Sequence, residues 1–180
     1  MSSFQHARLT AVLSVVLASV ASAQEAKSPP LARELAAALD AAKLTSVAAK
    51  DPTQPDRYVA ALYFPGSQLL VVSARYSAPL ILDAKLTTKD YRDIYIDLNS
   101  ASIAESKVFV EDPGADGLKA KRTEGQSFDS CEAGGKRTAF DGDWKGQKVT
   151  EEEYLKAFSA ADAQYGQMLT VLLSALKKAT

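Results

Sequence analysis

Two residue types that carry much of hydrolytic and metal chemistry are almost missing from this chain, which has a single histidine, His6, and a single cysteine, Cys131. His6 lies within a leader expected to be removed, so the mature protein is expected to hold no imidazole. That excludes hydrolases with an imidazole base, histidine-ligated zinc or haem, and pH switching by histidine. Cys131 alone cannot close a disulfide within the chain. It reads as a half-buried inert thiol, with a bridge to a partner chain or a reactive thiol as the alternatives in an oxidising compartment.

Carboxylates survive this filter. Asp93 and Asp97 share one face of an alternating stretch, but four strand residues span about 13 Å, whereas the acid/base pairs of glycoside hydrolysis sit about 5 to 9.5 Å apart. They read as solvated charges. The stretch Asp141-Gly142-Asp143-Trp144-Lys145-Gly146, continued to Glu152, matches an EF-hand calcium loop at its first, third, sixth and twelfth positions. Lys145 then stands where an oxygen ligand is needed and Lys148 where a small apolar residue belongs, while Gly134 and Gly135 interrupt the place of the incoming helix. The expectation is a tight Asp-Gly turn, with no metal held there.

The elements that position these residues begin with a leader. Arg8 and the free amino terminus precede an apolar run from Leu9 to Val20, and Ala21-Ser22-Ala23 follows with small residues where a signal peptidase requires them. About a dozen apolar residues are too few to span a bilayer as a helix. Residues 1–23 are therefore expected to be a signal peptide and residues 24–180 one soluble domain, periplasmic or secreted, with no membrane span after cleavage. The chain carries 21 basic and 22 acidic residues, and losing Arg8 leaves the mature form slightly acidic. Nucleic acid is not an expected partner, because phosphate contacts need a clustered basic surface. Lys119, Lys121 and Arg122, the one tight basic group, read as a solvated loop.

Ser28-Pro29-Pro30 introduces a helix in which Leu31, Leu35, Ala38, Leu39 and Ala42 recur at helical spacing, with Ser28 as its expected cap. From Ser46 the period changes. Strands are expected at 47–49, 57–64 and 68–74, the last two forming a hairpin across Pro65-Gly66. A short helix is expected within 78–88, then a strand over 91–98 with Ile94, Ile96 and Leu98 inward, and another at 108–110. A glycine-rich charged loop runs from Pro113 to about Gln126, with two more short strands near Phe128 and Phe140. A long helix from about Glu151 to Lys177 closes the chain, with Tyr154, Leu155, Phe158, Tyr165, Leu169, Leu172 and Leu176 as its stripe. Thr150 and Glu153 form its capping box. Strands grouped between two helices argue for an α+β domain. A mainly antiparallel sheet or a split β-barrel, flanked by an N-terminal and a long C-terminal helix, is the expected fold.

The order helix, Ser46-Val47-Ala48-Ala49, Asp51-Pro52, then the 57–74 hairpin ending at Ser73-Ala74-Arg75-Tyr76-Ser77, resembles the split barrel of the pyridoxamine-phosphate-oxidase-like and flavin-reductase-like families over residues 31–117. The chain as a whole resembles an exported bacterial-type family. The split-barrel resemblance implies flavin mononucleotide as a cofactor, with Arg75 and Ser77 holding its phosphate and the tyrosine-bearing face of 91–98 lining the pocket. Ala78 and Pro79 stand where the families place a further basic residue, and the next one after Arg75 is Lys85.

Three functions follow as expectations. The first is a non-catalytic exported domain that binds a small molecule or a partner protein. The second is a flavin-dependent split-barrel oxidoreductase. The third is a structural partner in an envelope assembly, using an exposed apolar patch or Cys131.

Overall fold

A computed structural model describes residues 26–54, 57–76 and 103–179. The leader, Ser77, the helix expected within 78–88 with Lys85, and the strand at 91–98 with Asp93 and Asp97 lie outside the described residues.

The described chain is an α+β fold in which six antiparallel strands pair in the order of the sequence. These are β1 (Ser46–Lys50), β2 (Arg57–Phe64), β3 (Gln68–Tyr76), β4 (Ile103–Pro113), β5 (Asp129–Ala133) and β6 (Lys136–Phe140). Among the described residues the sheet is open, with β1 and β6 at its edges, and of the two expected architectures it is the plain antiparallel sheet that these strands form. Helix α1 (Ser28–Ala42) and helix α2 (Glu151–Ala179) pack on each other, and α2 also meets β1, β2 and β3.

Strand alternation explains why β2 and β3 read as nearly continuous apolar runs. Val59, Ala61 and Tyr63 of β2 and Leu69 and Val71 of β3 point to the helices, while Ala60, Leu62, Val72 and Ala74 form a second apolar cluster with Phe64 and Phe109 on the opposite face. Both faces of the hairpin are apolar, so its polar positions lie at its ends. Ser67 N–H donates to the Phe64 carbonyl at 2.9 Å and Gly66 takes φ +69°, the left-handed turn that glycine adopts without a Cβ clash. Strand β4 runs well beyond 108–110, because the pairing with β3 carries it from Ile103 to Pro113.

On α2 the buried line is Tyr154, Ala161, Tyr165, Met168, Leu169, Leu172, Leu173 and Leu176. Leu155 is 47% exposed, a correction to the expected stripe. It stands one residue, and so about 100°, away from Tyr154 around the helix. The expected capping box is present. Glu153 N–H donates to Thr150 Oγ1 at 3.2 Å, and Thr150 N–H donates back to Glu153 Oε2 at 2.8 Å. Glu153 is correspondingly held below its usual carboxylate range by these bonds.

Helix α1 is capped differently from the expectation. Ser28 is its first residue rather than its cap, and Lys27 at the cap position makes no side-chain capping bond. Pro29 and Pro30 bring no N–H to satisfy, so the donors that need partners are the backbone groups upstream of them. Both are met by a carboxylate 134 or more residues away. Lys27 N–H donates to Asp162 Oδ2 at 2.6 Å, and Ser28 N–H and Oγ–H donate to Asp162 Oδ1 at 3.0 and 2.6 Å.

Candidate functional site

One end of the hairpin opens onto a cleft under α2. Its cavity of about 440 Å³ is lined by the turn Asp51-Pro52-Thr53-Gln54, by Arg57 and Ser73 from the sheet, and by Gln164, Gln167, Met168, Thr170 and Val171 from α2. This is within the usual range for small-molecule sites, about 300 to 1,000 Å³. The helix contributes residues one and two turns apart, Gln164, Gln167, Met168 and Val171, which form a line beside the core stripe.

The turn is rigid by its own chemistry. Asp51 Oδ1 accepts from Thr53 N–H at 2.8 Å, Thr53 Oγ1 at 2.7 Å and Gln54 N–H at 3.2 Å. Arg57 closes it, donating its N–H to the Gln54 carbonyl and accepting from Asp51 N–H through its own carbonyl, both at 2.8 Å. Asp51 Oδ1 is thereby held to its own turn, with the Thr53 hydroxyl as one of its donors.

Arg57 is the group left over. Its Nε is buried and makes no hydrogen bond, and among the described residues it has no ion-pair partner. Directly opposite it in the β2–β3 register stands Arg75. Ser73, two residues before Arg75, lines the cleft, and Ala74 points to the other face. Alternation therefore places Arg57 and Arg75 on the same, helix-covered side of the sheet. The ladder between β3 and β4 slips between Ser73 and Arg75, an irregularity at the mouth of the cleft.

Of the two residues the resemblance assigns to a flavin phosphate, Arg75 is exposed at this end of β3 and Ser77 lies outside the described residues. Lys85 also lies outside the described residues, and the basic residue that stands opposite Arg75 is Arg57, across the strands. That signal is in the sequence. Pairing Phe64 with Gln68 across the turn and counting outward pairs position 57 with position 75.

A second concentration of polar groups lies where α1, α2 and the β4–β5 loop meet. Asp112 Oδ2 accepts from Gly117 N–H and from Tyr165 Oη–H, both at 2.9 Å, and Asp112 Oδ1 accepts from Asp116 N–H at 3.2 Å. Asp129 Oδ2 accepts from Lys119 N–H at 2.7 Å. Ser28 Oγ, besides donating to Asp162, accepts from Leu118 N–H at 2.9 Å. Gly117 takes φ +92°, and a Cβ there would run into the backbone of Pro29.

Burial pushes Asp112 up to about 6 against the pull of its three donors, and pushes Asp129 up to about 7 with the Asp112 charge adding to the effect. Tyr165 is raised well above its ordinary value by burial and by Asp112, so it stays a donor. The network is a structural joint, since its carboxylates are bonded to backbone groups of the chain itself. Among the described residues no cluster of three or more histidine, cysteine, aspartate or glutamate side chains is placed to hold a metal ion.

The other sequence candidates serve the fold. Cys131 lies in the main core, more deeply than half-buried, and burial raises its thiol to about 11, which opposes the reactive-thiol alternative. In the Asp141–Glu152 stretch, Asp141 Oδ1 accepts from Asp143 N–H at 2.8 Å and Asp143 Oδ1 from Gly146 N–H at 2.9 Å, so both carboxylates serve their own turns. Lys145 lies over the Trp144 ring, 5.1 Å from its centre. In the basic loop, Lys119 pairs with Asp116 and Arg122 Nε–H donates to the Gln126 carbonyl.

The chain matches no protein-family model, no curated protein and no solved structure.

Proposed function

We propose that this chain is an exported, non-catalytic domain that binds a small molecule in the cleft between the 51–54 turn, the open end of the β2–β3 hairpin and α2. The observation that carries the reading is Arg57, whose buried Nε makes no hydrogen bond at the wall of the cavity. Buried donors in folded proteins find partners in the great majority of cases. An orphan beside a cavity of ligand size supports a site whose partner comes from outside the chain.

Binding is favoured over catalysis by the chemistry of the lining. It offers hydroxyls from Thr53, Ser73 and Thr170, amides from Gln54, Gln164 and Gln167, the Asp51 carboxylate, one guanidinium, and the apolar surfaces of Pro52, Met168 and Val171. Hydrogen-bonding and apolar groups orient a ligand, and the one carboxylate of the lining, Asp51, is engaged through Oδ1 by the backbone and hydroxyl of its own turn. Among the described residues no helix is long and apolar enough to cross a membrane.

The test fills the cleft. Thr170 is exposed on α2 at the cavity wall, so Thr170→Trp should fold while obstructing the site. Native mass spectrometry of both proteins from the producing host, with thermal-shift screening of a small-molecule library, should find ligands that bind wild type and lose binding to the variant. Ligands that bind both proteins equally, or no binder to wild type, would overturn the reading.

A further inference from the structure

We infer that the cleft takes an uncharged, hydroxyl-rich small molecule, a sugar or cyclic polyol, with its oxygens among Arg57, Ser73 and the glutamine amides and its C–H surface along Met168 and Val171. The inference rests on the cleft being the ligand site and adds the chemistry of what fills it.

The lack of net charge follows from the lining. It contains one carboxylate, Asp51, and one guanidinium, Arg57, while Arg75 does not line it and has a partner of its own. An anion bound at Arg57 would share the cavity with the Asp51 carboxylate, and a cation bound at Asp51 would share it with the guanidinium. Either would leave one charge of the wall uncompensated in a partly buried place. A ligand without charge leaves the two to balance each other.

The hydroxyls follow from the hydrogen-bonding groups that remain unspent. Arg57 Nε is a buried donor that makes no bond. Ser73 is 2% exposed, and its hydroxyl, like the side-chain amides of Gln54, Gln164 and Gln167, makes no hydrogen bond among the described residues. Thr53 Oγ1 and Thr170 Oγ1 donate within the chain, to Asp51 Oδ1 and to the Gly166 carbonyl, and keep lone pairs for an incoming donor. The wall thus offers donors and acceptors together, and most of its groups are both at once. A ligand of carbonyls alone would meet only the donors. A hydroxyl accepts from a guanidinium or amide N–H and passes its own hydrogen to a neighbouring oxygen, so several hydroxyls satisfy both kinds with one repeated group.

The shape follows from the apolar groups. Met168 and Val171, three residues apart on α2, form a short aliphatic strip, and no aromatic side chain lines the cavity. Such a strip suits the C–H face of a saturated ring whose hydroxyls project from its edge. A long hydrocarbon would instead lie over the unspent amides, which would lose water without gaining a bond.

Calorimetric titration of the mature protein tests this with glucose, galactose, mannose, trehalose and myo-inositol, against glucuronate, glucosamine, leucine and octanoate as charged or apolar counterparts. At least one uncharged molecule should bind, with an affinity that changes less than about two-fold between roughly 20 and 500 mM salt, because no ion pair is made for salt to screen. Glucuronate and glucosamine should bind at least about ten-fold more weakly. A singly deoxygenated analogue of the bound molecule should lose about ten-fold or more at one position, since a site built to bond a hydroxyl rejects the molecule lacking it. Arg57→Met, which keeps the bulk and removes the donors, should weaken binding at least about ten-fold. Ser73→Ala, which deletes a single hydroxyl, should weaken it by a smaller factor and guards against misfolding of the first variant. A charged or apolar counterpart binding more tightly than every uncharged molecule, a steep salt dependence, binding unchanged in both variants, or no binding by the panel would each overturn the uncharged polyol. The cleft reading itself fails only if Thr170→Trp changes no binding in the wider screen.

Discussion

Replacing Asp162 by asparagine isolates the charge that caps α1 while keeping the shape of the side chain. Its two carboxylate oxygens accept three bonds from Lys27 N–H, Ser28 N–H and Ser28 Oγ–H, and it is 4% exposed. An asparagine oriented to keep its oxygen toward Ser28 must turn its amide NH2 toward Lys27 N–H, two donors facing each other. Leaving that backbone donor unsatisfied costs about 1–3 kcal/mol. Removing a negative charge from a partly buried helix N-terminus costs about another 0.3–2 kcal/mol. The expected loss is about 2–4 kcal/mol, which for a domain of about 150 residues lowers Tm by roughly 5–15 °C. Urea denaturation followed by far-UV circular dichroism measures it. Ser28→Ala should also destabilise, because Leu118 N–H loses its acceptor. The double variant should cost less than the two singles combined, since both act through one network. A loss below about 0.5 kcal/mol for Asp162→Asn, or strict additivity with Ser28→Ala, would refute the cap.

The buried carboxylates give a pH dependence of defined sign. Asp112 and Asp129 are raised above their unfolded values near 3.8, so their contribution is fully present below that pH and is lost as pH rises through about 6 and 7. Stability should therefore increase by about 2–4 kcal/mol between pH 8 and pH 5, since each ten-fold difference in proton affinity is worth about 1.36 kcal/mol; Asp129→Asn should raise Tm at pH 8 and flatten the profile, and a Tm that falls steadily over the same interval would contradict it. Gly117→Ala should cost at least about 3 kcal/mol, combining a left-handed backbone with collision against Pro29, and a variant as stable as wild type would remove the close approach. Cys131→Ser should lower stability by about 1–3 kcal/mol by placing a hydroxyl in the core, and the native thiol should react with Ellman's reagent at pH 8 only slowly until denaturant is added. Rapid labelling of the folded protein would contradict its burial.

What was legible in the sequence was local. The periodicity of α1, the hairpin around Pro65-Gly66 and the capping box of α2 each depend on residues within a few positions of one another, and each is found with nearly the expected bounds. Where long-range pairing decides, local pattern falls short. Glu105, Ser106 and Lys107 interrupt any apolar run, yet β4 continues through them because β3 pairs on either side, at Ala104 and at Val108. The strand expected near Phe128 is found as β5, but Phe128 itself is 37% exposed just before it, and the residue β5 gives to the main apolar core is Cys131. Asp162, a mid-helix aspartate in the sequence, acquires its role only when the fold brings Lys27 and Ser28 to it.

The same contrast separates the two polar concentrations. At the α1–α2 joint Asp112, Asp129, Asp162, Ser28 and Tyr165 are joined to one another or to backbone N–H groups of the same chain, so the interaction is complete without a ligand. At the cleft Arg57 is incomplete. Yet both draw on one stretch of α2. Asp162 and Tyr165 fix that stretch to α1 and to the β4–β5 loop, while Gln164, Gln167 and Met168, within one turn of them, form the wall of the cleft. A helix held at Asp162 and Tyr165 can neither slide nor rotate without breaking buried bonds. The height of the glutamine amides above Ser73 and Arg57 is thus set by polar contacts on a different side of the helix, and the joint prepares the site without touching what would enter it.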